Sequence, residues 1–171
     1  MLRHYERMLR LFPYSRLALG ASVFKVISIA YSEPARIEQS FTMPGAIDNL
    51  LTTAKEFLDA DSCYALDASW DLLQYENAAW KLAPSRAALS CFGPEFQDAE
   101  ENLRIEFGIE ALFLPQTDLP DHLKMAQSNI RSLLKLVHDL DNTLHVDRRR
   151  LWSESGENFS DRLQEALLAA G

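Results

Sequence analysis

Between Asn102 and Leu114 the apolar side chains Leu103, Ile105, Phe107, Ile109, Ala111 and Phe113 occupy every odd position, with Arg104, Glu106, Gly108 and Glu110 between them. A period of two is the mark of a strand with one buried and one wet face, and it predicts a strand over the whole stretch. The same alternation runs through Cys63 to Tyr75, where Tyr64, Leu66, Ala68, Trp70 and Leu72 share one face and Ala65, Asp67, Ser69 and Asp71 the other. Glu76 to Ala79 reads as a hairpin loop, and Trp80 to Phe92 returns as a strand. Proline has no N–H for a central ladder, so Pro84 marks an edge or a bulge. Gly93-Pro94 turns the chain into a third strand, completing a meander.

Earlier in the chain, Ser22 to Tyr31 is rich in Val, Ile, Phe and Tyr and predicts a strand. Ser32-Glu33-Pro34 is a turn, and Arg36 to Thr42 alternates as the second arm of a hairpin. Three stretches change the period to 3.6. Leu2 to Phe12 carries a stripe of Leu2, Tyr5, Met8, Leu9 and Phe12 and stops at Pro13. Ala46 to Ala60 repeats Ile47, Leu50, Leu51, Ala54, Phe57 and Leu58. Pro120 to Thr143 has Leu123, Ala126, Ile130, Leu133, Leu134, Val137 and Leu140 on one side. A final helix is predicted from Phe159 to Ala169, with Phe159, Leu163, Ala166 and Leu167 inward.

These elements predict an α+β fold: a single, mainly antiparallel sheet of about five strands (hairpin, helix, three-strand meander), with helices packed largely on one face. The 171 residues, 47% of them hydrophobic, suit one cored domain over 1–171. Within it, 1–16 is an N-terminal amphipathic helix and 145–171 a C-terminal linker and helix. The longest apolar run, Leu17 to Phe24, is too short to span a bilayer. Arg3, Arg7, Arg10 and Arg16 precede it as in a signal peptide, but Glu6 and Lys25 break that pattern, so a cytoplasmic protein is expected. Two cysteines without CxxC spacing suit reduced thiols, although a cross-strand pairing of Cys63 opposite Cys91 follows if the hairpin register allows it.

The net charge of −8 is uneven. Residues 1–16 hold four Arg against one Glu, whereas 44–121 hold fifteen acids against four bases. An acidic body repels phosphate backbones, which argues against a nucleic-acid partner. The first helix is expected to pack on the sheet or a neighbour, its alternative being a basic amphipathic helix that touches a membrane or an acidic partner. Arg148-Arg149-Arg150 beside Trp152, with the N-terminal arginines, suits an anion or an acidic partner, or the protein's own acidic centre within one chain or across a dimer.

The sequence holds no nucleophile elbow, dinucleotide fingerprint, P-loop or zinc-ribbon spacing, and its six glycines leave little material for a phosphate cradle. No cofactor is implied. Three weaker constellations remain. Asp67 and Asp71, with Glu106 beside Arg104 on the polar face of another strand, are the catalytic candidates. Carboxylates buried together would split their pKa values into an acid and a base, whereas on a wet face they are solvated charges. His138, Asp141 and His145 recur along one stripe, with His145 past the expected helix end at Thr143, and would offer two imidazoles and a carboxylate to a divalent metal without HExxH spacing. The same residues are equally the polar border of an amphipathic helix. Trp70, Arg104, Arg148, Arg149, Arg150 and Trp152 are the candidate binding residues. The leading expectation is a protein-interaction or ligand-binding module that self-associates as a homo-oligomer or engages another protein. The alternative is a small hydrolase working through Asp, Glu or His on the polar sheet face.

Overall fold

The computed structural model describes residues 1–18, 22–42, 46–114, 121–151 and 153. Trp152 and the predicted helix from Phe159 to Ala169 lie outside the described residues. The elements are α1 (Leu2–Leu11), β1 (Ser22–Ser28), β2 (Ile37–Phe41), α2 (Ile47–Glu56), β3 (Ser62–Glu76), β4 (Ala79–Phe92), β5 (Leu103–Phe107), a 3-10 turn (Glu110–Leu112) and α3 (His122–Thr143). The five strands form one antiparallel sheet in the order β2-β1-β3-β4-β5, so the fold is α+β. No described helix is long and apolar enough to cross a membrane. Two compact units are distinguished: Met1–Asp71 with Pro84–Phe107, and Leu72–Ala83 with Gly108–Gly171.

In the first unit the apolar stripe of α1 is consumed by the core. Tyr5, Met8 and Leu9 are fully buried, and the Tyr5 hydroxyl donates to the Leu89 carbonyl at 3.1 Å. Tyr5 lies against Tyr64, and Phe12 against Trp70, so α1 covers the face of β3 that carries Tyr64, Leu66, Ala68 and Trp70. Leu50, Leu51 and Ala54 of α2 are also buried, and the Tyr64 hydroxyl reaches the Phe57 carbonyl at 2.8 Å from that face. In the second unit α3 buries Met125, Ala126, Asn129, Ile130, Leu133 and Leu136.

Two strands differ from their expected lengths. β1 ends at Ser28 because Ile29 adopts a φ of 73°, which a β-branched residue rarely takes. Its conformation is fixed from both sides: its N–H donates to the Asp61 carbonyl, and its own carbonyl accepts from the Gln97 N–H. β5 covers only Leu103–Phe107, where a strand to Leu114 was expected. Gly108 contributes no side chain to the sheet and follows the last residue that pairs with β4, Phe107. Beyond it Ile109 is 61% exposed and the chain enters the 3-10 turn. β5 is an edge strand, so Leu103, Ile105 and Phe107 are half-buried.

The β3–β4 hairpin turns on Asn77 and Ala78, both with positive φ (53° and 60°), the two-residue arrangement whose twist suits a hairpin. β4 passes through Pro84 without interruption. β5 pairs only with Ala87–Cys91, so Pro84 sits beyond that ladder, where a missing N–H is tolerated.

Candidate functional site

The polar face of the sheet was the place to look for chemistry, and Asp67 and Asp71 of β3 and Glu106 of β5 are drawn in different directions. Asp67 accepts from Arg86 Nη2 at 2.7 Å and Nε at 3.2 Å, both on Oδ1. Arg86 is largely in solvent, so this is an exposed cross-strand ion pair of small energetic weight. Asp71 has a different task. Its Oδ1 accepts from the Ser15 hydroxyl at 2.5 Å and its Oδ2 from the Arg16 N–H at 3.0 Å. Ser15 Oγ in turn accepts from the Leu17 and Ala18 N–H groups, and the Ser15 N–H donates to the Ser69 carbonyl. Asp71 thus latches the segment after α1 onto β3. Four residues along a strand separate Asp67 from Asp71 by about 13 Å, too far to share a proton.

Glu106 faces solvent and pairs with Arg104 Nη1 at 3.3 Å, while Arg104 Nε is held by Glu101. The Arg104 guanidinium lies 4.9 Å from the Phe92 ring centre and 6.0 Å from that of Tyr31. The second face of the sheet is covered here. Cys63 packs with Ile27, Phe92 and Phe96, and the Tyr31 ring meets both phenylalanines edge-on. The Tyr31 hydroxyl hydrogen-bonds Cys63 and Ser90, and its backbone N–H donates to Asp98 Oδ2 at 2.7 Å. Burial raises the Tyr31 phenol above its ordinary value and pushes the Cys63 thiol up to about 12. A thiol held so firmly protonated is no nucleophile at neutral pH. Sequence reasoning did not find this group. Its only signal was Arg104 sitting in register to reach an aromatic at an even position of β4.

Cys63 and Cys91 are both free and buried. Gly93 donates to the Ser62 carbonyl, and Cys63 packs beside Phe92. Strand alternation then sends Cys91 to the opposite face from Cys63, so the thiols do not form the pair that a register shifted by one residue would make. Burial pushes the Cys91 thiol up to about 12 as well.

Trp70 is 1% exposed and stacks on Phe107 at 5.1 Å, which makes it part of the core rather than a surface for a partner. On α3, His138 Nε2 meets Asn142 Nδ2 at 2.9 Å, and Asp141 is paired with Arg149. α3 ends at Thr143, as its pattern predicts, and His145 lies beyond it. Among the described residues no group of three or more His, Cys, Asp or Glu is arranged to hold a metal ion. The structure instead brings Asp141 together with Arg148 and Arg149. With Val146 and Asp147 they line a shallow depression of about 280 Å³. Arg150 is exposed. At the other end of the chain the basic helix meets an acidic residue within the same unit: Arg10 bonds Asp48 at 2.5 Å and Glu6 at 3.0 Å.

Comparison of the chain with protein-family models, with curated proteins and with solved structures found no match.

Proposed function

We propose that this chain is an acidic, cytoplasmic protein-interaction module that self-associates as a homodimer and does not bind nucleic acid. The observation that carries this reading is how the charges of the sheet are used. Asp67, Asp71 and Glu106 each serve a separate bond, to Arg86, to the Ser15 turn and to Arg104. Hydrolysis needs a base aimed at a reacting atom and a second group within reach of it. Carboxylates spent singly on latches and exposed pairs supply neither. The net charge of −8 opposes a polyanionic partner.

Sedimentation velocity across low to high micromolar concentrations tests the reading. The expected result is a weight-average mass rising from one chain toward two. A mass of one chain throughout, or turnover of ester or phosphate substrates abolished by Asp67→Asn, would overturn it.

A further inference from the structure

Ile29 is out of place by the rules of folding alone. It is β-branched, yet it stands at a φ of 73°, in the left-handed region where such residues are outliers. The conformation costs free energy that the surrounding structure must offset. Full burial of the side chain would offset it, but Ile29 is 47% exposed. Glycine or asparagine would hold the same backbone with less strain. Strain kept at an exposed apolar side chain points to a use outside the fold. Two residues on, past the buried Ala30, Tyr31 is 39% exposed. Its ring is set edge-on against Phe92 and Phe96, which fixes its orientation. A preorganised aromatic of this kind is a typical anchor of a protein interface.

Both residues sit where three loops of the first unit are bonded together. The Ile29 N–H donates to the Asp61 carbonyl, and the Ile29 carbonyl accepts from the Gln97 N–H, each at 2.9 Å. The Glu95 N–H donates to the Ala60 carbonyl at 2.9 Å, and the Tyr31 N–H to Asp98 Oδ2 at 2.7 Å. Residues 29–36, 57–61 and 93–102 hold seven carboxylates and one base, Arg36. Arg36 is bonded to Asp59 at 2.5 Å, so the loops stay strongly negative. That field repels polyanions, anionic lipid and most of the surface of a second copy, whose net charge is −8. The chain's own basic helix does not fit, because Tyr5, Met8 and Leu9 of its apolar stripe are buried in the core. The complement of this surface is a segment that sets lysine or arginine beside an aliphatic or aromatic side chain.

We infer that Ile29 and Tyr31 are the docking point for a basic segment of a different protein. An apolar side chain of that segment packs on Ile29 and Tyr31, and its cations meet Glu33 and Glu95, both exposed on the flanking loops. The charges select the partner and speed the encounter, and the apolar contact holds it. This goes beyond the self-association proposed above and does not depend on it.

The test uses the full chain and a fluorescein-labelled peptide of alternating lysine and leucine, with a glutamate–leucine peptide beside it. Fluorescence anisotropy should show the lysine peptide binding, more weakly as salt rises, and the glutamate peptide not binding. Ile29→Asn should weaken binding about tenfold while its urea midpoint matches or exceeds the wild type's, because relief of strain offsets the half-burial that is lost. A Glu33→Gln, Glu95→Gln double variant should weaken binding without touching the apolar contact, and Leu134→Asn, on an exposed position of α3, should bind as the wild type does. No binding of the lysine peptide overturns the inference. So does equal binding by Ile29→Asn, which would mean that charge alone attracts the peptide. A lowered midpoint for Ile29→Asn overturns it too, since the side chain would then serve the fold. Sedimentation velocity reads self-association separately: a monomer that binds the peptide refutes the homodimer and leaves this surface standing, and a dimer that ignores the peptide does the reverse.

Discussion

Asn129 pairs with Leu73 as a neighbouring strand would. Its Oδ1 accepts from the Leu73 N–H at 2.9 Å, and its Nδ2 donates to the Leu73 carbonyl at 3.0 Å and to the Leu112 carbonyl at 2.8 Å. Asn129 is 1% exposed, so no water substitutes for it. Truncation orphans one buried donor and removes a partner from two carbonyls, at about 1 to 3 kcal/mol for each unsatisfied group. Asn129→Ala should lower unfolding stability by about 3 kcal/mol in urea titration. Asn129→Asp should be nearly as damaging, because a carboxylate keeps the acceptor but has no N–H for the two carbonyls. A loss below about 0.5 kcal/mol would show that the amide is dispensable.

Ala78 closes the β3–β4 turn at a φ of 60°, where a Cβ crowds the following carbonyl. Glycine takes this conformation without that penalty. Ala78→Gly should therefore stabilise the protein by about 1 kcal/mol, read as a rise in the urea midpoint at constant slope. The opposite sign would mean that the alanine side chain has packing worth more than its strain.

Gly93 is constrained by space. A Cβ there would lie 2.1 Å from the Ala60 carbonyl oxygen, and that oxygen already accepts from the Glu95 N–H. The backbone must move to admit a methyl group. Gly93→Ala should lose about 3 kcal/mol or more, or fail to accumulate as folded protein. Wild-type melting behaviour would refute the close approach.

Both thiols are held protonated. Each is raised by burial from an ordinary 9.0 to about 12. Above pH 9 the unfolded chain loses these protons while the folded chain keeps them, so the unfolded state binds fewer and stability falls as pH rises. The fall should steepen past pH 9 by about 1.4 kcal/mol per unit for each thiol. Below pH 9 the contribution is fully present. A Cys63→Ser, Cys91→Ser double variant should flatten this limb in urea titrations at pH 8 to 10.5. A thiol reagent at pH 8 should find neither cysteine in the native protein and both after unfolding. Rapid native labelling would contradict the burial.

The sheet was legible because its strands alternate cleanly: Tyr64, Leu66, Ala68, Trp70 and Leu72 share one face of β3 by pattern, and all of them are buried. The limits of that reading are equally specific. Alternation continues in the letters from Gly108 to Leu114, but the last β4–β5 pair is Phe107 with Ala87, and pairing partners are not written in one strand's pattern. The cysteines show how fine the margin is, since one residue of register decides whether the thiols share a face. Asp71 looked like a free carboxylate because its partners, Ser15 and Arg16, lie 56 and 55 residues away. On α3 the predicted stripe included Leu134, which is exposed, and passed over Met125 and Leu136, which are buried. The overlooked signal was Asn129 itself, an amide between Ala126 and Ile130 on the buried side of a helix. A polar residue in that place demands buried partners.

Because a side chain rather than a strand holds the Leu73 amide proton, that proton has an unusual dependence. Its neighbours within a ladder exchange with solvent only when strands separate. The Leu73 proton is released as soon as α3 lifts from the hairpin, even if β3 and β4 stay paired. Deuterium uptake at this one amide, compared with uptake along the rest of β3, therefore reads the opening of the helix without any label.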